Sequence, residues 1–262
     1  MTSRAALVVA HPDDEALWLS SAIASAGRIV FCYGDSFGNP KKAAARRRAV
    51  AALPFDDLVD LQLPETGARL LVDWADPRLT PCGIEITDTA ARARYEANYP
   101  KLVEGLRRTL GGFAEVYTHN PWGEYGHPDH IQVHRAVAAL QAEFGYTIWF
   151  SNYVGAESWP LAQQYGRQAC RAERRIVSPG LVTARRLMQI YRRHGAWTWT
   201  LAHRWPAEET LYAMPPGQSP GARHSLSGEW LLDVAGCAGG RSCGRRRSAV
   251  CPEPFTHCHR PC

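Results

Sequence analysis

Two short clusters of imidazole and carboxylate groups hold most of the chemistry legible in this chain. His11-Pro12-Asp13-Asp14-Glu15 puts one histidine and three carboxylates into five consecutive residues, and His127-Pro128-Asp129-His130 repeats the mixture far downstream. Imidazole nitrogen and carboxylate oxygen are the donors that Zn²⁺ and similar divalent ions accept. A carboxylate left over beside such an ion suits a general base acting on water. In His11-x-x-Asp14 an imidazole at a strand end and a carboxylate in the first helical turn can converge on one ion, leaving Asp13 free. Either His130 or His134 can add a ligand, because 127, 130 and 134 fall on one face of a helix. Set against this is a plainer role: Asp13, Asp14 and Glu15 as helix-capping acids and His134 as a surface residue. Together the two clusters point to a metal-dependent hydrolase.

The elements that must position these groups alternate. Residues 5–10 are a short apolar run, ended at once by Pro and carboxylates, and read as a buried strand. A helix is expected over 15–26, capped by Asp13 or Asp14, then a strand over 28–33 and an Ala/Arg-rich helix over 41–53. A third strand over 58–63 precedes an irregular insertion at 64–87, rich in Pro and Gly. A long amphipathic helix over 87–110 leads to a fourth strand at 114–118 and a turn-rich loop at 120–126. Pro128 opens a helix over 128–142 at the position where its missing N–H is harmless. A fifth strand over 146–151 and a helix over 178–194 complete the pattern, followed by Trp197, Trp199 and Trp205. Such alternation predicts an α/β fold: a Rossmann-like, doubly wound, largely parallel sheet with helices on both faces. Ligands on such sheets sit beyond the carboxyl ends of the strands, so the clusters after the first and fourth strands can share one crevice.

Composition narrows the class further. A chain of 262 residues, 45% hydrophobic and 21% charged, can bury a real core. No signal-peptide pattern and no long apolar window occur, so a cytoplasmic protein without a membrane partner is expected. The formal charge of +5 is misleading, because residues 236–262 hold five Arg against one Glu. No nucleic-acid partner is therefore expected for the body. Five of the eight cysteines crowd the same segment without a C-x-x-C pair, which argues against a zinc knuckle. The reading is a catalytic domain over 1–235 and a flexible Arg/Gly/Cys-rich tail over 236–262. No dinucleotide fingerprint, phosphate-binding loop or nucleophile elbow is present.

Ala10-His11-Pro12-Asp13-Asp14-Glu15 and Gly126-His127-Pro128-Asp129-His130 resemble, in order and spacing, the two signature motifs of the LmbE/PIG-L family of zinc-dependent N-acetylglucosaminyl deacetylases. The likeness spans roughly 4–215. Within the family, the Trp-rich body and the turn at 37–40 are most similar to deacetylases of glycopeptide-antibiotic pseudoaglycones of the teicoplanin type, enzymes of antibiotic biosynthesis. The resemblance implies Zn²⁺, or another divalent metal, on His11, Asp14 and His130, with Asp13 as general base. It implies His127, oriented by Asp129, as partner of the oxyanion or leaving group, with Tyr125 near the scissile carbonyl. Trp122 and Arg47 are the expected substrate contacts, and the substrate is a small-molecule glycoconjugate. The chain departs from the family where Arg47 is followed three residues later by Val50 instead of Glu, which leaves the carrier of the sugar open. A thiol-glycoside or lipid-linked GlcNAc conjugate, or a non-catalytic metal-stabilised binding protein, would be compatible with the same motifs.

Overall fold

The computed structural model describes residues 5–169, 174–217 and 232–233. The expected tail and the boundary at residue 235 lie outside them. In chain order the first elements are β1 (Ala5–Val9), α1 (Asp14–Trp18), β2 (Ala26–Phe31), α2 (Pro40–Ala51) and β3 (Leu58–Asp60). Then come β4 (Leu79–Thr80), β5 (Gly83–Ile84), α3 (Thr89–Arg107), β6 (Glu115–Thr118), α4 (Pro128–Phe144) and β7 (Thr147–Ser151). The last are β8 (Tyr153–Val154), α5 (Trp159–Ala169), β9 (Arg174–Val177), α6 (Leu181–His194), β10 (Glu209–Met214) and β11 (Leu232–Asp233).

Seven strands form the main sheet in the order β3-β2-β1-β6-β7-β10-β9. The first five are parallel, while β10 runs antiparallel to both β7 and β9. The alternation of β1 decides the layers: Ala5, Leu7 and Val9 pack in one core with α1, α2 and α6. Ala6 and Val8 pack in the other with α3 and α4. Burial of β1 on both sides explains its unbroken apolar run. The chain winds outward from β1 in one direction and from β6 in the other, so these neighbours form the switch point of the sheet. That is where a doubly wound fold opens its crevice.

Several elements differ from expectation. The helix expected over 15–26 stops at Trp18, because the Ser20 and Ser21 hydroxyls donate to the Glu209 carboxylate and tie the chain to β10. The third strand ends at Asp60, whose side chain accepts from Gln62 N–H while Gln62 turns to a φ of 50°. The insertion at 64–87 contains the β4–β5 hairpin and covers a third apolar cluster including Ile84, Ile86, Tyr95 and Trp122. The antiparallel β9–β10 edge has no counterpart in the sequence reading. No helix among the described residues is long and apolar enough to cross a membrane.

Candidate active site

The end of β1 is a turn under strain. Asp13, the residue before α1, has a φ of 103° and makes no side-chain capping bond. A non-glycine residue pays a steric penalty in that region, so its surroundings must hold it there. Its backbone N–H donates to Glu15 Oε2, and Glu15 Oε1 accepts from the Tyr191 hydroxyl of α6. Its carboxylate is gripped through Oδ2 by the Thr198 N–H at 2.8 Å and the Thr198 hydroxyl at 2.7 Å. Burial, then the neighbouring Asp14 charge, push the Asp13 carboxyl up to about 6, against the pull of the Thr198 bonds. Asp14 is held locally: Oδ2 accepts from His11 N–H at 2.8 Å and Oδ1 from the Trp18 indole at 3.1 Å. The plain capping role is thus left to Glu15.

The end of β6 is built from its own loop. Glu124, in a left-handed turn at φ 50°, accepts from Asn120 N–H and lies between two imidazoles. Its Oε2 is 2.6 Å from His130 Nδ1 and 3.0 Å from His119 Nδ1. His119 Nε2 accepts the Ala10 N–H at 2.8 Å, which stitches the ends of β1 and β6 together and spends that lone pair. His130 Nδ1 is committed to Glu124, so Nε2 is the free nitrogen, buried and without a hydrogen-bond partner, 3.3 Å from Asp14 Oδ2. His134 is drawn elsewhere: its Nδ1–H donates to the His119 carbonyl at 2.8 Å, and burial lowers its pKa to about 4. Of the two candidates for a further ligand, only His130 faces Asp14.

A cavity of about 210 Å³ opens between the two ends, lined by His11, Asp13, Asp14, Tyr125, His127 and Asp129. Asp129 meets His127 through its backbone, its N–H donating to His127 Nδ1 at 3.2 Å. Its carboxylate, expected to orient that imidazole, instead accepts from the Thr66 hydroxyl and lies 3.4 Å from His11 Nε2. Burial and the nearby His130 and His11 hold the His127 pKa well below its usual value. With Nδ1 accepting the Asp129 N–H, Nε2 is the His127 nitrogen left to carry a proton into the cavity. Tyr125 stands edge-on to His127 and His130, under the Arg69 guanidinium. Trp122 and Arg47 are not brought to the cavity. Trp122 is 1% exposed, its indole donating to the Tyr153 carbonyl, and Arg47 points to solvent. Their places are taken by Trp199 and by Arg46, which is buried and paired with Glu65. Thr198, Glu65, Thr66, His119 and Glu124 were all missed by sequence reasoning; only Glu124, in the loop before His127, had a positional hint.

The donor set fits a divalent cation. Ligand atoms of His11, Asp14 and His130 lie within 4.8 Å of one another, all buried. The unpartnered His130 nitrogen calls for an electrophile, and Glu124 behind it is the carboxylate that commonly orients a metal-binding imidazole. Although burial lowers the His11 pKa, Asp129 and Asp14 outweigh it and raise the group to about 9. The pocket thus stabilises positive charge at this point. Two other groupings, His11 with His127 and Asp129, and His119 with Glu124 and His130, have similar spacing. The second is excluded by the bond from Ala10 N–H to His119, and the first by the bond from Asp129 N–H to His127.

Fold and site define a doubly wound α/β domain with a two-histidine, one-aspartate centre at its switch point. Residues 6–141 match the family described as "PIG-L: GlcNAc-PI de-N-acetylase", and the chain belongs to that family. It is similar to the 1D-myo-inositol 2-acetamido-2-deoxy-alpha-D-glucopyranoside deacetylase of Corynebacterium kroppenstedtii, at 28% identity over 68% of this chain and 51% of that protein. The enzyme of that name from Mycolicibacterium smegmatis is 31% identical over 55% of this chain and 57% of its own length. The chain thus spans about half the length of these curated relatives. Its fold is similar to the zinc-inhibited form of teicoplanin deacetylase Orf2, with a TM-score of 0.54 at 12% identity over 82% of this chain and all of that one. A deacetylase–teicoplanin complex gives 0.51 at 12% identity, over the same shares of the two chains.

Proposed function

We propose that this cavity hydrolyses the amide of an N-acetylglucosaminyl group, releasing acetate and the free amine. The observation that carries the reading is the position of Asp13. Thr198 holds one carboxylate oxygen, and the other is left for the cavity that His11, Asp14 and His130 share. Zn²⁺, or another divalent ion, held by those three residues would polarise the acetyl carbonyl and acidify water. Asp13 takes a proton from the attacking water at its free oxygen and returns it to the departing nitrogen, a role suited to a carboxyl raised to about 6. His127 donates from Nε2 to the oxyanion, joined by the Tyr125 hydroxyl, each such donor typically worth ~3 kcal/mol. With His127 Nδ1 occupied by the Asp129 N–H and one Asp13 oxygen open to the cavity, Asp13 is the proton carrier of the pair.

The cavity is smaller than the ~300–1,000 Å³ of drug-sized sites, so it takes the sugar and leaves the carrier at the rim. Exposed Leu70 and Leu201 lie close in sequence to the lining residues Arg69 and Trp199, and exposed Phe37 packs by Gly67. Exposed apolar side chains next along the chain to lining residues favour a large aromatic aglycone of glycopeptide type. A GlcNAc–inositol conjugate is the second reading, favoured by the names of the two bacterial relatives.

Acetate release from both conjugates, with and without chelator, tests the function. Release abolished by chelator, and lost in Asp13→Ala while bound metal is retained, is the expected outcome. Full activity in Asp13→Ala would overturn the assignment of the base.

A further inference from the structure

The two layers of helices on this sheet differ in how they handle charge. On the α3–α4 side, Arg107 pairs with Glu104 and Glu143, and Arg108 pairs with Glu104. On the other side α2 and α6 pack against each other, and neither contains a single Asp or Glu. Lys41 and Arg48 of α2 are exposed, as are Arg185, Arg186, Arg192 and Arg193 of α6. None of these six forms an ion pair with a carboxylate among the described residues. On α6, Val182, Arg185, Arg186, Gln189, Arg192 and Arg193 follow helical spacing and make one outward stripe opposite the buried Ala184, Leu187 and Tyr191.

Two details separate this face from an ordinary solvated surface. Lys41 sits in the first turn of α2, where the helix dipole disfavours a cation. The α6 stripe begins with two bare aliphatic side chains, Leu181 at 37% and Val182 at 84% exposure. Unpaired cations around exposed aliphatic groups match a surface that offers anionic head groups with apolar depth behind them. Nucleic acid would satisfy the cations and leave Leu181 and Val182 in water. Lys42 from the start of α2, and Thr198 and Trp199 just beyond α6, line the cavity, so both helices adjoin it in the chain.

We propose that the α2–α6 face docks the protein on an anionic membrane surface. Its cations lie over lipid head groups, and Leu181 and Val182 enter the interface.

The test is co-sedimentation of the full chain with vesicles of phosphatidylglycerol and phosphatidylcholine, against vesicles of phosphatidylcholine alone. Binding to the anionic vesicles, weakened by salt, is expected. The double variant Arg186→Glu with Arg193→Glu should lose at least tenfold in affinity, from about fivefold per cation. Lys101→Glu with Arg108→Glu makes the same change of net charge on the opposite side and should stay within about twofold. Val182→Ser should weaken binding without altering its salt dependence. Circular dichroism checks folding, and Arg48→Glu with Arg185→Glu serves as an independent pair. Equal losses for the two faces, equal binding to neutral vesicles, or no vesicle binding alongside retention of duplex DNA would each overturn the proposal.

Discussion

The two strand ends that meet at the cavity are built by opposite means. After β6 the bonds that orient His130 and His127 are short in sequence: Glu124 reaches Asn120, His119 and His130, and Asp129 N–H reaches His127 two residues away. After β1 the strained Asp13 is braced from the far end of the chain, by Thr198 directly and by Tyr191 through Glu15. The difference matches the demands of each half. A ligand imidazole needs a fixed ring and a fixed tautomer, which one nearby carboxylate supplies. The proposed base needs a strained backbone and an oriented carboxylate at once, and a five-residue helix has no spare groups for both.

That contrast can be broken experimentally, beginning with its local half. His130→Ala should abolish both metal retention and acetate release, read as metal content per chain and turnover. Glu124→Gln keeps the ligands but removes the orienting carboxylate, and should weaken metal affinity ~10–100-fold. The distant brace predicts a smaller and different signature. Thr198→Val should lower kcat about tenfold at unchanged metal content, a modest misplacement against the ~10²–10⁴ that a general base contributes, and Thr198→Ser should restore it. A loss of metal in Thr198→Val would show that the two ends are not separable. Smallest of all, Tyr191→Phe removes one buried hydrogen bond and should cost about 1 kcal/mol of stability in thermal or denaturant unfolding.

Legibility followed the range of the interactions. The β1 run and the Pro128 helix start were readable because apolar burial and first-turn proline leave periodic, local traces. The short α1 was misread as a longer helix, since the Glu209 carboxylate that captures Ser20 and Ser21 belongs to a strand nearly two hundred residues on. Arg46 and Arg47 are adjacent and identical in type, and only the packing of α2 on the sheet turns Arg46 inward to Glu65. Trp122 looked like a sugar platform from its place beside the histidines, yet Tyr153 and Phe150 hold it in the core. The unbalanced α2–α6 face was divided between segments too distant to be added together, although each helix taken alone shows its lack of acids.

By itself, the sequence determined the donor types, their grouping after two strands, and an α/β pattern able to bring the two groups together. The tertiary structure alone decided that His130 rather than His134 faces Asp14, that His127 accepts the Asp129 N–H at Nδ1, and that Asp13 is held from Thr198. The physical reason is that residue type and spacing along one element are local properties. Tautomer, burial and long-range hydrogen bonding depend on neighbours that the folded chain supplies from elsewhere.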